Sequence, residues 1–145
     1  MSDDKRLTYE EILAQIPAAK ARAKEADRTE PRARAATFDA ATRRVRIELK
    51  DGCAFEFPAD MAQGLRGVAA EFLAQVEVYP RGVGLRWTAL DVDFSVPGLV
   101  ARRFGGKAWM RQLEREMAEK ESAARAEARR APRTRKVEPE PGAGT

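Results

Sequence analysis

From Arg43 to Leu49 apolar and charged positions alternate. Val45, Ile47 and Leu49 are separated by Arg46 and Glu48, with Arg44 before them. A period of two predicts a strand with one face buried. The alternation resumes beyond Asp51-Gly52, with Cys53, Phe55 and Phe57 set apart by Ala54 and Glu56. Register decides the turn. A two-residue loop pairs Ile47 with Glu56 and mixes charged with apolar side chains on one face. A three-residue loop, Lys50-Asp51-Gly52, pairs Leu49 with Cys53, Ile47 with Phe55 and Val45 with Phe57, so every apolar residue shares a face. The spacing therefore predicts a hairpin with Gly52 left-handed in a bulge, and with Cys53 and Phe55 packed inward.

Around this hairpin the pattern predicts three zones. Residues 1–34 read as a helix and linker. Thr8 and Glu11 form a capping box, and Leu7 and Ile12 are spaced as a hydrophobic staple. Pro17 predicts a break, and the Ala-rich stretch after it a loosely attached helix. Residues 35–117 read as a globular domain with the start of a C-terminal helix docked on it. Within it, Thr37-Phe38 begins a strand, and short helical turns place Met61, Leu65, Phe72 and Leu73 inward. Val76–Pro80 is extended, Leu85–Trp87 is its partner, and Leu90–Phe94 alternates again. Ser95 caps a helix that Gly105-Gly106 stops. Trp109, Leu113 and Met117 recur every four residues as one apolar stripe. Residues 118–145 read as a charged helical extension, partly helical at best, followed by a disordered tail rich in Pro, Gly and charge. The fold class predicted is α+β: a small antiparallel sheet built from hairpins, with short helices and a helix at each end.

Composition narrows the chemistry. The 145 residues contain no histidine and one cysteine. That removes the usual general base, the Ser-His and Cys-His nucleophile pairs and the common zinc, haem and iron–sulfur ligand sets. No cofactor and no metal site are expected. A lone thiol fits a cytoplasmic setting, the charged start has no signal-peptide pattern, and no apolar run is long enough to span a membrane. The net charge of +4 admits acidic partners without demanding them.

A few residues remain as candidates for a surface. Asp91 and Asp93 share a face if Leu90–Phe94 is extended, where they would serve as an acid–base pair, as cation ligands, or only as solvated charges. Trp87 either lines a groove or is core with its indole N–H bonded. Arg44 and Arg46 form a basic outer hairpin face that Glu48 and Glu56 can neutralise across strands. Gly82 and Gly84 beside Arg81 read as a hairpin turn, since a strand and not a helix follows. Arg129, Arg130, Arg133, Arg135 and Lys136 make the tail a candidate phosphate or acidic-partner contact.

Three stretches taken together, Pro31–Pro58, Leu65–Val100 and Phe104–Leu113, resemble the bacterial domain-of-unknown-function family 2442. The likeness rests on the Leu-Lys-Asp-Gly hairpin, the strand ending in Trp87, the Leu-Asp-Val-Asp that follows, and the Phe-Gly and Trp-Met element. The resemblance implies a small α+β domain without an established enzyme activity, whose relatives are often encoded in pairs of toxin–antitoxin type. The expected role is a non-enzymatic protein-binding module, antitoxin-like or regulatory. The alternatives are a nucleic-acid-associated protein using the basic tail and hairpin face, and a small hydrolase built on Asp91 and Asp93.

Overall fold

The computed structural model describes residues 7–130. It divides into two compact units, one ending at Gly106 and the other beginning at Lys107. The first holds helix α1 (Tyr9–Thr29), strands β1 (Ala33–Asp39), β2 (Arg44–Leu49) and β3 (Ala54–Pro58), helix α2 (Ala70–Leu73), strands β4 (Glu77–Val78), β5 (Gly84–Trp87) and β6 (Val92–Ser95), and helix α3 (Val96–Val100). The second is described by helix α4 (Lys107–Arg130). The α+β class is as expected, with two three-stranded antiparallel sheets, β1-β2-β3 and β4-β5-β6.

The hairpin has the register that the alternation required. Val45 pairs with Phe57 and Ile47 with Phe55. Leu49 N donates to Cys53 O at 2.8 Å and Gly52 N to Leu49 O at 3.1 Å, with Gly52 at φ 93°. Val45, Ile47, Leu49 and Phe57 are buried with Leu65, Leu73, Leu85, Trp87, Val96, Leu99 and Phe104. Burial fades toward the hairpin tip, where Phe55 is half-buried and Cys53 exposed. The inward face is as expected, but the core ends before it reaches Cys53, so that thiol is not a packing residue. Phe72 is exposed for a similar reason: the short α2 buries only Leu73.

Helix α1 begins at the expected capping box, with Glu11 N donating to Thr8 Oγ1 at 3.2 Å and Thr8 N to Glu11 Oε2 at 2.8 Å. It does not break at Pro17. Proline's fixed φ is helical, and the carbonyl it leaves without a donor lies on an exposed stretch where water can solvate it. The helix is fastened at its other end. Arg32, buried, donates from Nε to Asp27 Oδ1 at 2.9 Å and from Nη1 to Glu30 Oε2 at 3.2 Å. Arg81 Nη1 reaches Asp27 Oδ2 at 3.1 Å. These two guanidiniums, Arg32 above all, hold the Asp27 carboxyl below its ordinary range.

Sheet β4-β5-β6 lies beside the first sheet through β1, which meets β4 and the turn around Gly82. Helix α3 is capped by Ser95 Oγ, which accepts from Gly98 N at 3.0 Å. It ends well before Gly105, because Arg102 takes a left-handed φ of 65°. Arg103 N bonds to Gly98 O and Arg102 N to Leu99 O, closing a Schellman cap on a residue other than glycine. In the second unit, α4 is helical to Arg130, longer than the polarity of its C-terminal half predicts. Alanine-rich propensity and i,i+4 pairs support it, among them Arg125 Nη2 with Glu121 Oε1 at 2.6 Å. Leu113 is buried, Trp109 half-buried and Met117 exposed. The expected disordered tail lies outside the described residues.

Candidate functional site

Trp87 sits at the end of β5 with its side chain 1% exposed and its indole N–H donating to Leu73 O at 2.9 Å. Phe94 meets its ring edge-on at 6.5 Å between centroids. The core alternative is the correct one, and Trp87 offers no surface to a partner. A large ring with one polar atom is satisfied inside the fold once that atom finds a carbonyl.

Asp91 and Asp93 do come together, but not as two same-face positions of one strand. Asp91 is left-handed, at φ 51° and ψ 44°, and precedes β6. Both carboxylates close on Arg86, whose Nη2 is 3.0 Å from Asp91 Oδ1 and whose Nη1 is 3.0 Å from Asp93 Oδ2. The bond to Asp91 first, and then the one to Tyr79, raises the Arg86 pKa. One guanidinium thus bridges the two carboxylates. Among the described residues no group of three or more acidic, Cys or His side chains is placed to hold a metal ion.

The outer hairpin face is half-exposed and largely self-paired. Arg44 Nε is 2.9 Å from Glu56 Oε1, Arg46 Nη1 is 3.8 Å from Glu56 Oε2, and Arg34 reaches Glu48 at 3.8 Å. Cross-strand pairing follows from the register Arg46–Glu56 and reduces the field available to a phosphate backbone. Of the basic tail, Arg129 and Arg130 are exposed on the last turn of α4. Arg133, Arg135 and Lys136 lie outside the described residues.

Two features escaped the sequence reading. One is a buttress at the start of β2. Arg43, left-handed at φ 55°, donates to both oxygens of Asp60 at 3.1 and 2.8 Å and to Val68 O at 3.0 Å. Gly67 N adds a bond to Asp60 Oδ1 at 3.0 Å. Arg43 first, then the Gly67 amide, draw the Asp60 pKa down to about 2. Seventeen residues separate the pair, so no local pattern announces it. An open groove of about 590 Å³ lies between the end of α1 and the hairpin tip, with Arg32, Lys50, Cys53 and Phe55 on its walls. Among its charged groups, Arg32 holds Asp27 and Glu30, and Lys50 Nζ donates to the backbone Arg81 O at 3.2 Å.

The other feature is the N-terminal half of α1. No residue of the helix is buried, and every residue from Tyr9 to Arg22 is exposed. Tyr9, Ile12, Leu13 and Ile16 are 75, 47, 45 and 40% exposed, with Leu7 beside them at 51%. Offsets of three, four and seven put these side chains on one stripe. The signal was present in the sequence, but Pro17 drew attention to a break and away from the face that continues through it.

Residues 33–105 match the model of a family described as protein of unknown function, DUF2442. Among solved structures, a crystal structure of a protein of unknown function from Rhodospirillum rubrum is 50% identical, with a TM-score of 0.54. The alignment covers 57% of this chain and 99% of that one. A solution structure of an uncharacterised protein from Chromobacterium violaceum is 23% identical, with a TM-score of 0.57. Here 77% of this chain and 95% of that one are covered, a likeness of fold. No curated protein matches the chain. Helix α1 precedes the matched residues, and α4 follows them.

Proposed function

We propose a protein-binding role for this chain, which belongs to the DUF2442 family of proteins of unknown function. The observation that carries it is the uncovered apolar stripe of Leu7, Tyr9, Ile12, Leu13 and Ile16. Large apolar side chains grouped on one exposed face favour a partner over solvent. The role is non-enzymatic. The chain has no histidine, and the paired carboxylates of Asp91 and Asp93 hold a guanidinium. Among the described residues no helix is long and apolar enough to cross a membrane. An exposed Cys53 fits a reducing cytoplasm. An antitoxin-like or regulatory member of a two-component pair is the form this role takes in the family resemblance.

The test is to measure self-association of the purified chain and to co-express it with the product of each neighbouring gene, as wild type and as Ile12→Lys. A gel shift on duplex DNA over a salt series runs alongside. Self-association or a complex with a neighbour, lost in the folded Ile12→Lys protein, supports the reading. No protein complex, together with DNA binding that weakens with salt by a log–log slope of about 0.9 per phosphate contact, overturns it in favour of a nucleic-acid role.

A further inference from the structure

We propose that the stripe on α1 pairs with the same stripe of a second copy of this chain, the two helices running antiparallel. The proposal rests on the protein-binding reading above and names the partner. Its first support is energetic. From Tyr9 to Arg22 the helix is exposed on every side and carries Pro17 within it. Isolated helices shorter than about 12–15 residues are marginal in water, and an interior proline costs about 3 kcal/mol. Burial of the stripe would offset part of that cost.

Spacing supplies the second support. Tyr9, Ile12, Ile16, Ala19, Ala23 and Ala26 follow one another at steps of three, four, three, four and three. That is the a/d spacing of a two-helix coiled coil, and Pro17 lies off it. Side-chain size falls along this seam, from Tyr and Ile to Ala. Parallel helices would set bulk against bulk and alanine against alanine, leaving a gap at one end. Antiparallel helices set Tyr against Ala at each end and bring the two isoleucines together at the centre. Ala23 and Ala26 are already half-buried in their own unit, whereas Ala19 is exposed. The register left open places Tyr9 opposite Ala19 and Ile12 opposite Ile16 of the second copy.

Charge agrees with the same direction. Glu10 and Glu11 occupy the first turn, and Lys20, Arg22 and Lys24 the stretch beyond the proline. In the antiparallel register Glu10 of one copy comes beside Lys20 of the other, twice by symmetry. A parallel pair would bring like charges together at both places. The helix α1 that carries the stripe lies before the residues that match the family model.

Sedimentation equilibrium of the full chain, up to about 100 μM, should show a monomer–dimer equilibrium. Ile12→Lys should weaken dimerisation on the order of 1000-fold, because a twofold interface carries each substitution twice. Its helical circular dichroism should fall by the signal of α1 while the core retains its unfolding midpoint. Glu10→Lys and Lys20→Glu should each weaken the dimer about tenfold. The double variant Glu10→Lys/Lys20→Glu should return to within about threefold of wild type, as opposite charges again face each other. A chain that stays monomeric overturns the proposal. If that monomer still binds a neighbouring gene product through Ile12, the protein-binding reading stands without self-pairing; if it does not, both fall. A dimer lost in Ile12→Lys but not restored by the double charge variant overturns the antiparallel arrangement.

Discussion

Gly52 and Gly82 both have positive φ, at 93° and 72°, but substitution should separate them sharply. A Cβ at Gly52 meets nothing within 4 Å, so Gly52→Ala should cost only the left-handed strain, about 1 kcal/mol. A Cβ at Gly82 would overlap the backbone of Ala33, where β1 passes the turn. Gly82→Ala should cost about 3 kcal/mol or more, since backbone atoms must move. Urea unfolding of the two variants measures the contrast, and equal midpoints would contradict the close approach. Asp60 sets a pH dependence. Its folded pKa of about 2 lies below the ordinary 3.8. Its stabilisation is therefore fully present above about pH 4 and is lost as pH falls through 2. Stability of wild type and Asp60→Asn should differ most near neutral pH and converge at about pH 2, as followed by denaturant unfolding across that range. Sequence reading located Gly52, because two alternating runs flank it. It missed the requirement at Gly82 and the Arg43–Asp60 buttress, because both depend on chain segments far apart in sequence.

At the level of elements, the hairpin was legible in register but not in depth. Alternation fixes which face points inward, and parity alone chose the three-residue loop. How far the core extends along that face depends on what the rest of the fold sets against it. Phe57 is buried against Phe104, with ring centroids 5.4 Å apart, whereas Phe55 is half-buried. Phe57→Ala should cost about 3–5 kcal/mol. Phe55→Ala should cost clearly less, about 1–2 kcal/mol, in proportion to the smaller area it removes from water. Reversal of that order in equilibrium unfolding would contradict the burial gradient. The second hairpin shows the opposite failure. Leu90–Phe94 alternates in sequence, yet Asp91 turns left-handed to close a turn and still reaches Arg86 with Asp93. Two carboxylates near each other in sequence read as a cation or acid–base site until the arginine between them is seen. Millimolar calcium or magnesium should leave the thermal midpoint of wild type unchanged, because a ligand stabilises only as far as it binds the native state. A rise that vanishes in Asp91→Asn would restore the cation reading.

For the whole molecule, the decisive contrast is between residues 33–105, which match the family model, and helix α1, which precedes them. The Rhodospirillum rubrum structure is covered over 99% of its length by 57% of this chain, so that relative folds with little more than half as many residues. The fastening of α1 is confined to its C-terminal end, where Arg32 and Arg81 hold Asp27. Residues 7–20 contribute no buried side chain. Removing residues 1–20 should therefore leave the cooperative unfolding of the remaining protein intact, with a thermal midpoint that does not depend on protein concentration. The full chain, if its stripe is covered by association, should instead gain stability with concentration, because only the native state self-associates. Shortening further, to begin at Ala33, removes Asp27 and Glu30 and leaves the groove beside β2 without Arg32. That deletion should lower the midpoint by several degrees, because it removes the buried Arg32 stem and the Arg32 O that accepts from Lys50 N at 2.9 Å. Equal midpoints for the two truncations would show that the Arg32 network contributes nothing to the fold. Equal concentration dependence before and after removal of residues 1–20 would place any association elsewhere on the molecule.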